Sequence, residues 1–517
     1  MRAARRNKSL SLIVAAALLA AVGLTATNAR ANGRFPESQR LLEHPTDPNR
    51  LYLTATYGLL VTEDRGRNWF YVCELAFALK FLQGDPLLEV FPDGSMLAGI
   101  YDTANLSSDC GCTWRTVLGE SATQFVLDVA TDASGKVLAL LRDDTVSPST
   151  LFVMESSDRG KTWVKISDLP AAVTDGYTID VAPSDPSRLY VSAFVLGRNI
   201  GVLLASRDRG QTWEQADIPG TSGSIKPFIA AVHPSNRDRI FVRTDNWEGT
   251  GAFAAQDGLL HSGDGGKTWT EVLHREAKLF GFALSPDGNT VLAGYGDPFE
   301  AAGRSTNSDD FGVYKASTQD FAFEKIFATT VACLRWTATG VYVCTVPLDP
   351  STQALALGFA PNADFTLATK DPFTSLLDLR NVRGPLGCVA ATCNETWSAG
   401  TAGTPPICQV LQARCDPDTS ANNLTCGNVG GTGGMGGSGG DASGLGGGDG
   451  GMKPGGGSSG CSCRAAGDSR APDWAWTGLA LLTFGCVARR RRYRGRHGFR
   501  GMPTQSLAGS SVKSWRT

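Results

Sequence analysis

The chain has 517 residues, of which 42% are hydrophobic and 19% charged, and its formal net charge is -2. That balance suits one large globular domain with appendages and argues against a nucleic-acid partner. The dense basic run Arg489 to Arg492, followed by Arg494, Arg496 and Arg500, leaves the rest of the chain more acidic than the total implies.

Residues 1–31 read as a secretory signal. Arg2, Arg5, Arg6 and Lys8 precede an apolar run from Leu10 to about Leu24, and Ala29-Arg30-Ala31 forms an A-x-A cleavage site. The run is shorter than the ~20 residues that span a bilayer, so export with cleavage after Ala31 is expected. Thirteen cysteines in an exported chain predict disulfides. Five histidines, none at ligand spacing from a cysteine pair, argue against zinc, and no metal or cofactor is expected.

From residue 34 to 383 one unit recurs with the ~40–50-residue period of an array or propeller. Its core is Ser/Thr-x-Asp-x-Gly-x-Thr-Trp. The first copy is Thr62, Asp64, Gly66, Asn68 and Trp69, and the second is Ser107, Asp109, Gly111, Thr113 and Trp114. Further copies are Ser156, Asp158, Gly160, Thr162, Trp163; Ser206, Asp208, Gly210, Thr212, Trp213; and Ser262, Asp264, Gly266, Thr268, Trp269. β-prone runs such as Val202 to Ala205 and Trp69 to Val72 flank the copies, which makes each one a hairpin turn. The Asp accepts backbone N–H bonds, the Gly tolerates positive φ, and the Ser or Thr adds a local bond. The Trp anchors the turn.

Upstream of the boxes lie Pro/Asp turns: His44 to Tyr52, Ala182 to Tyr190, His233 to Phe241, Pro92 to Ser95 and Pro286 to Asn289. A unit therefore reads strand, Pro/Asp turn, strand, loop, strand, box, strand, which is a four-stranded propeller blade. Two degenerate units follow. In one, Val313 to Lys315 leads into Ala316 to Phe323, with Thr318 for the Asp and Phe323 for the Trp. In the other, Phe365 to Ala368 leads into Thr369 and Asp371. The fold class expected is all-β, a seven-bladed β-propeller with six blades as the alternative.

The repeat resembles the BNR/Asp-box superfamily, which includes sialidases, sortilin-type receptors, xyloglucan-cleaving glycosidases and photosystem-assembly propellers. The resemblance implies that Asp64, Asp109, Asp158, Asp208 and Asp264, with Trp69, Trp114, Trp163, Trp213 and Trp269, are structural elements of the outer rim. It leaves function open.

Cys333 and Cys344 flank the turn Ala338-Thr339-Gly340 and are expected to bond across it, while Cys73 is assigned to Cys110 or Cys112. Residues 384–426 hold Cys388, Cys393, Cys408, Cys415 and Cys426, read as a separate stapled cap that ties down the last blade. Residues 427–460 are overwhelmingly glycine and form a flexible linker with a reach of roughly 30 Å. Residues 461–492 hold Cys461, Cys463, an apolar segment from Trp474 to Ala488 and the Arg cluster; residues 493–517 are a basic tail. This order resembles the MYXO-CTERM sorting tail of myxobacteria. The resemblance implies a sorting protease, a transient membrane segment and display at the cell envelope.

Chemistry has weaker signals. Arg34-Phe35-Pro36 imitates the arginine motif that sialidases carry ahead of their first box, but it has no upstream strand to hold it. A glycosidase needs two carboxylates across a cleft, and Asp85, Glu89, Asp102, Asp128 and Asp180 lie near strand ends and loops without any pair standing out. No nucleophile elbow, His-Glu-x-x-His or P-loop appears. The reading is a binding module for a glycan, peptide or envelope partner. A glycoside hydrolase and an envelope assembly factor are the alternatives. Inserts at 245–257 and 296–310, with Trp247, Glu248, Phe253, Phe299 and Arg304, are the loops expected to meet a ligand.

Overall fold

The computed structural model describes residues 38–55, 57–77, 87–100, 103–119, 124–246, 256–296, 308–345, 357–362, 373–377, 382–399, 406–410, 413–415, 422 and 424. These residues belong to one compact unit, 1–434; a second unit, 435–517, contains none of them. The signal segment, the linker and the tail with Cys461 and Cys463 thus lie outside the described residues.

Seven sheets form a seven-bladed propeller, each with four antiparallel strands in sequence order. The inner strands of blades 1 to 7 are Ser38–His44, Leu87–Val90, Gln124–Thr131, Asp175–Val181, Ile225–Val232, Lys278–Leu284 and Val331–Trp336. Seven blades, rather than six, close the ring. In the seventh, the third strand is Leu357–Pro361, and Phe365 to Ala368 fall outside the described residues.

Burial follows the radius. Second strands are largely apolar because both of their faces pack on neighbouring blades: Leu189–Val195 and Gly340–Thr345 are buried at every position, and polar residues such as Arg142 and Arg243 come towards the loop end. Outer strands such as Glu214–Asp217 are polar and exposed. Apolar layers fill the spaces between blades; one joins Leu138, Leu140 and Val153 of blade 3 to Leu189, Val191 and Leu204 of blade 4. The antiparallel order puts the Pro/Asp turns and the Asp-boxes at one end of the ring. The second-to-third-strand loops and the connections between blades share the other, the loop end.

Each box closes its hairpin as a small hydrogen-bonded ring. In blade 3, Ser156 Oγ donates to Asp158 Oδ1 at 2.8 Å and accepts from Gly160 N at 2.7 Å, while Thr162 N and Oγ1 donate to the two Asp158 oxygens at 2.8 and 2.7 Å. Gly160, at φ +82°, occupies left-handed backbone that costs other residues strain. The residue before that Gly is also left-handed, and this aims its side chain at the preceding blade. Arg209 of blade 4 reaches Asp132 Oδ2 at 2.8 Å and also bonds Glu155, both in blade 3. Arg159 of blade 3 bonds Asp93 of blade 2, and Arg65 of blade 1 lies over Phe359 of blade 7 at 5.6 Å. Box arginines are therefore latches between blades. The Asp132 side chain is only 1% exposed, so Arg209→Ala strands a buried carboxylate and is expected to destabilise the propeller by about 3 kcal/mol, read as a lowered urea midpoint. An unchanged midpoint would remove the latch role.

The ring is closed by a device the sequence reading placed elsewhere. Val382–Pro385 adds to blade 1 as a fifth strand, parallel to Trp69–Cys73. Beyond it, Cys393 bonds Cys73 of blade 1 and Cys388 bonds Cys112 of blade 2. Cys73 therefore pairs with neither Cys110 nor Cys112, and the segment after residue 384 ties down the first two blades instead of the last. Sequence separations of 320 and 276 residues leave no local signal of such pairing. Cys110 is itself disulfide-bonded, and Cys408 bonds Cys415. Trp397, fully buried, packs on Tyr71 with ring centroids 5.4 Å apart. Cys333 and Cys344 face each other on the first two strands of blade 7 and are bonded.

Candidate functional site

Six of the seven inner strands, all but that of blade 2, carry an irregularity in their pairing with the second strand, as at Leu127, Tyr177, Ala230 and Phe280. A bulge twists a strand and re-aims the side chains that follow it. Polar groups consequently gather along the central channel of a ring whose interfaces are apolar.

Three carboxylates stand on the inner strands of three successive blades: Glu89, Asp128 and Asp180. Each is engaged with a neighbouring blade. Glu89 accepts from Arg40 of blade 1 at 3.3 Å and from Thr131 of blade 3 at 3.2 Å. Asp128 Oδ2 accepts from Ile179 N of blade 4 at 2.8 Å. Asp180 accepts from Val181 N at 2.7 Å and is also held by Val232 N of blade 5.

Burial raises both aspartates. Asp128 is pushed up to about 7 against the amide bonds and Arg40 that lower it, with Asp180 adding to the rise. Asp180 is pushed up to about 6 by burial, and the charge of Glu89 adds to it. Arg335, exposed on the inner strand of blade 7, brings its positive charge to the same lumen near Arg40, Glu89 and Glu43. Among the described residues no three His, Cys, Asp or Glu side chains are grouped to hold a metal ion.

Towards the loop end the channel wall becomes aromatic and cationic. Phe125 lies under the Arg142 guanidinium at 5.0 Å, and that arginine is neutralised by Asp144 at 3.0 Å and Asp175 at 3.3 Å. At the next junction, Tyr177 of blade 4 and Phe228 of blade 5 have ring centroids 5.4 Å apart, tilted by 39°. Lys226 Nζ stands 5.7 Å from the Tyr177 ring and Arg243 lies 4.7 Å over Phe228. All four side chains are half-buried.

The residues singled out by pattern fall into separate places. Asp64, Asp109, Asp158, Asp208 and Asp264 sit in five different turns at the other end of the ring, each bound within its own hairpin. The Thr268 hydroxyl and amide hold Asp264 down to about 2, as expected of a carboxylate kept charged by donors. Trp69 is buried; Trp114, Trp163, Trp213 and Trp269 are half-buried and prop their turns. Glu89, Asp128 and Asp180 come together in the channel, while Asp85, Asp102, Trp247, Glu248, Phe253, Phe299 and Arg304 lie outside the described residues. Sequence reasoning missed Arg40, Arg335, Tyr177, Lys226, Phe228 and Arg243. A signal did exist: an aromatic recurs a few residues ahead of the first hairpin turn in blades 3 to 6, as Phe125, Tyr177, Phe228 and Phe280.

Comparisons place this architecture among known proteins. The model of the family described as Sortilin, neurotensin receptor 3 (Sortilin-Vps10) matches residues 149–332. Xyloglucanase Xgh74A of Acetivibrio thermocellus is 30% identical over 104 residues, which is 18% of this chain and 11% of that protein. The chain thus spans about a tenth of this curated relative's length. An ancestral GH74 enzyme has 15% identity and a TM-score of 0.48, over 67% of this chain and 47% of that one. YCF48 from Cyanidioschyzon merolae has 14% identity and a TM-score of 0.32, over 50% and 93%. The family-model match and the seven blades fit a BNR propeller of the sortilin-like kind.

Proposed function

We propose that the chain is an exported binding propeller, displayed at the cell envelope by its glycine-rich linker and C-terminal segment, that holds a ligand at the loop end of its central channel. The observation that carries this reading is the division of labour along the channel. The carboxylates in its middle are occupied in bonds between blades, whereas Tyr177, Phe228, Lys226 and Arg243 stand half-buried at the end where loops converge. Disulfides fastening the segment after residue 384 to the first two blades suit an oxidising compartment, in line with the signal-like N-terminus.

A second reading has its own support. Asp128 and Asp180, raised to about 7 and about 6, are carboxyls of the kind that serve as general acids, and xyloglucanase Xgh74A cleaves by its name a polysaccharide. Incubating the full chain with a panel of neutral and acidic polysaccharides separates the two. Protein retained on a polysaccharide without release of reducing ends is the expected result. Release above a heat-denatured control, abolished by Asp128→Asn, would replace the binding reading with the hydrolase.

A further inference from the structure

We infer that the junction of blades 4 and 5 is a subsite for a carboxylated sugar, so that the ligand of the proposed binding module is an acidic polysaccharide; the inference rests on that reading. Four side chains compose the subsite: Tyr177 and Lys226 on facing inner strands, Phe228 two residues beyond Lys226, and Arg243 directly across from Phe228 on the second strand.

The neighbouring junction supplies the contrast. Blades 3 and 5 both set an arginine on an inner-strand phenylalanine, as Arg142 on Phe125 and Arg243 on Phe228, and in both the two residues are cross-strand partners. Arg142 brings its own counter-charges, Asp144 and Asp175. Among the described residues Arg243 hydrogen-bonds only the Leu279 carbonyl oxygen, at 3.4 Å on the inner strand of blade 6, and so bridges from the Phe228 ring to the next blade. Lys226 likewise has no counter-ion among the described residues: its cross-strand neighbour Asp245 turns to Lys278 at 2.5 Å, and Asp257 Oδ1 at 3.4 Å and the Asn246 carbonyl at 2.6 Å also stand beside that buried ammonium. Among the described residues, neither Lys226 nor Arg243 is within ion-pair distance of a carboxylate.

Two half-buried cations without a carboxylate partner among the described residues have lost part of their hydration, which the ring faces and one long bond to Leu279 replace only in part. A ligand carboxylate replaces it with charge-assisted hydrogen bonds, and Arg243 offers the forked donor geometry such a group fits. Between the cations, the tilted rings of Tyr177 and Phe228 present apolar surface. The C–H face of a pyranose packs on such rings at little entropic cost, because aromatic side chains have few rotamers to lose. An unstructured acidic peptide satisfies the cations but pays for ordering its backbone and leaves the rings without a rigid face.

The probe is polygalacturonate, measured by isothermal titration and affinity electrophoresis with the full chain. Fully methyl-esterified polygalacturonate keeps the backbone and removes the charge, and polyglutamate keeps the charge and removes the sugar. Binding of polygalacturonate is expected to exceed both by at least about tenfold and to weaken as salt rises. Lys226→Gln and Arg243→Gln are each expected to cost about tenfold, and Tyr177→Ala more; Lys267→Gln, in the blade 5 Asp-box turn at the other end of the ring, changes nothing. Equal binding of the ester, or binding indifferent to Lys226→Gln and Arg243→Gln, overturns the inference. Polyglutamate binding as tightly as polygalacturonate overturns it in favour of an acidic protein partner. If a neutral polysaccharide is retained and these variants leave it unchanged, the binding-module reading stands and this subsite falls; if no polysaccharide or peptide is retained, both fall.

Discussion

Serine at both Cys73 and Cys393 is expected to destabilise the propeller by about 4 kcal/mol, while serine at both Cys333 and Cys344 costs about 2–3 kcal/mol. With Cys112–Cys388 still closed, the first bond closes a loop of about 45 residues, from Cys73 to Cys112 and from Cys388 to Cys393, and the second a loop of 11, so the unfolded chain regains more freedom when the first is lost. Position adds to length. Cys393 holds the segment that carries fully buried Trp397 against Tyr71, and that segment follows the parallel strand Val382–Pro385 on blade 1. Among the described residues no antiparallel strand is shared between the first and last blades; they meet through side chains alone, in an apolar layer that joins Leu41 and Leu53 to Tyr342 and Leu357 and through Thr339 Oγ1 donating to Glu43 at 3.1 Å. Urea midpoints measure the costs, and amide exchange locates them. Faster exchange in Trp69–Cys73 is expected only for the first variant. A hairpin variant that is as damaging as the ring variant would mean that closure does not depend on the staple.

A second large effect concerns pH. Asp128→Asn is expected to raise the melting temperature by several degrees at pH 8 and to leave it unchanged at pH 4. Burial lifts the folded-state pKa of Asp128 to about 7, well above that of an unfolded aspartate. Between roughly pH 4 and 7 the native state therefore binds more protons than the unfolded one, and stability falls as pH rises through that window. Below it, both states are protonated and the penalty vanishes. Above it, the penalty reaches on the order of 3 kcal/mol, and the channel position of Asp180, raised to about 6, adds a smaller loss of the same sign. Asparagine still accepts the Ile179 amide bond through its carbonyl oxygen and carries no charge. Thermal melts of both proteins from pH 4 to 8 give the test. Parallel curves across that range would show that Asp128 ionises normally in the lumen.

The blade pattern was readable because its chemistry is local. A Ser or Thr, an Asp and a Gly within one turn make all their bonds to each other, so Ser156, Asp158 and Gly160 announce a hairpin wherever the strand runs beside them are apolar. The same locality made Cys333 and Cys344 legible, since they face each other across one hairpin. The arginine before the box glycine in blades 1, 3 and 4 was visible as a letter and silent as a latch. The partners of Arg209, Asp132 and Glu155, belong to another blade.

By itself, then, the sequence determined the repeating hairpins and the four-stranded unit, each through contacts made within a few residues. Tertiary structure alone decided the rest: that Cys388 and Cys393 bind the first two blades, that Glu89, Asp128 and Asp180 meet in one channel, and that Arg243 lacks, among the described residues, the counter-ions Arg142 has. Those features depend on which blades abut once the ring closes, and on bulges that turn inner-strand side chains towards the channel, neither of which leaves a trace in short-range spacing.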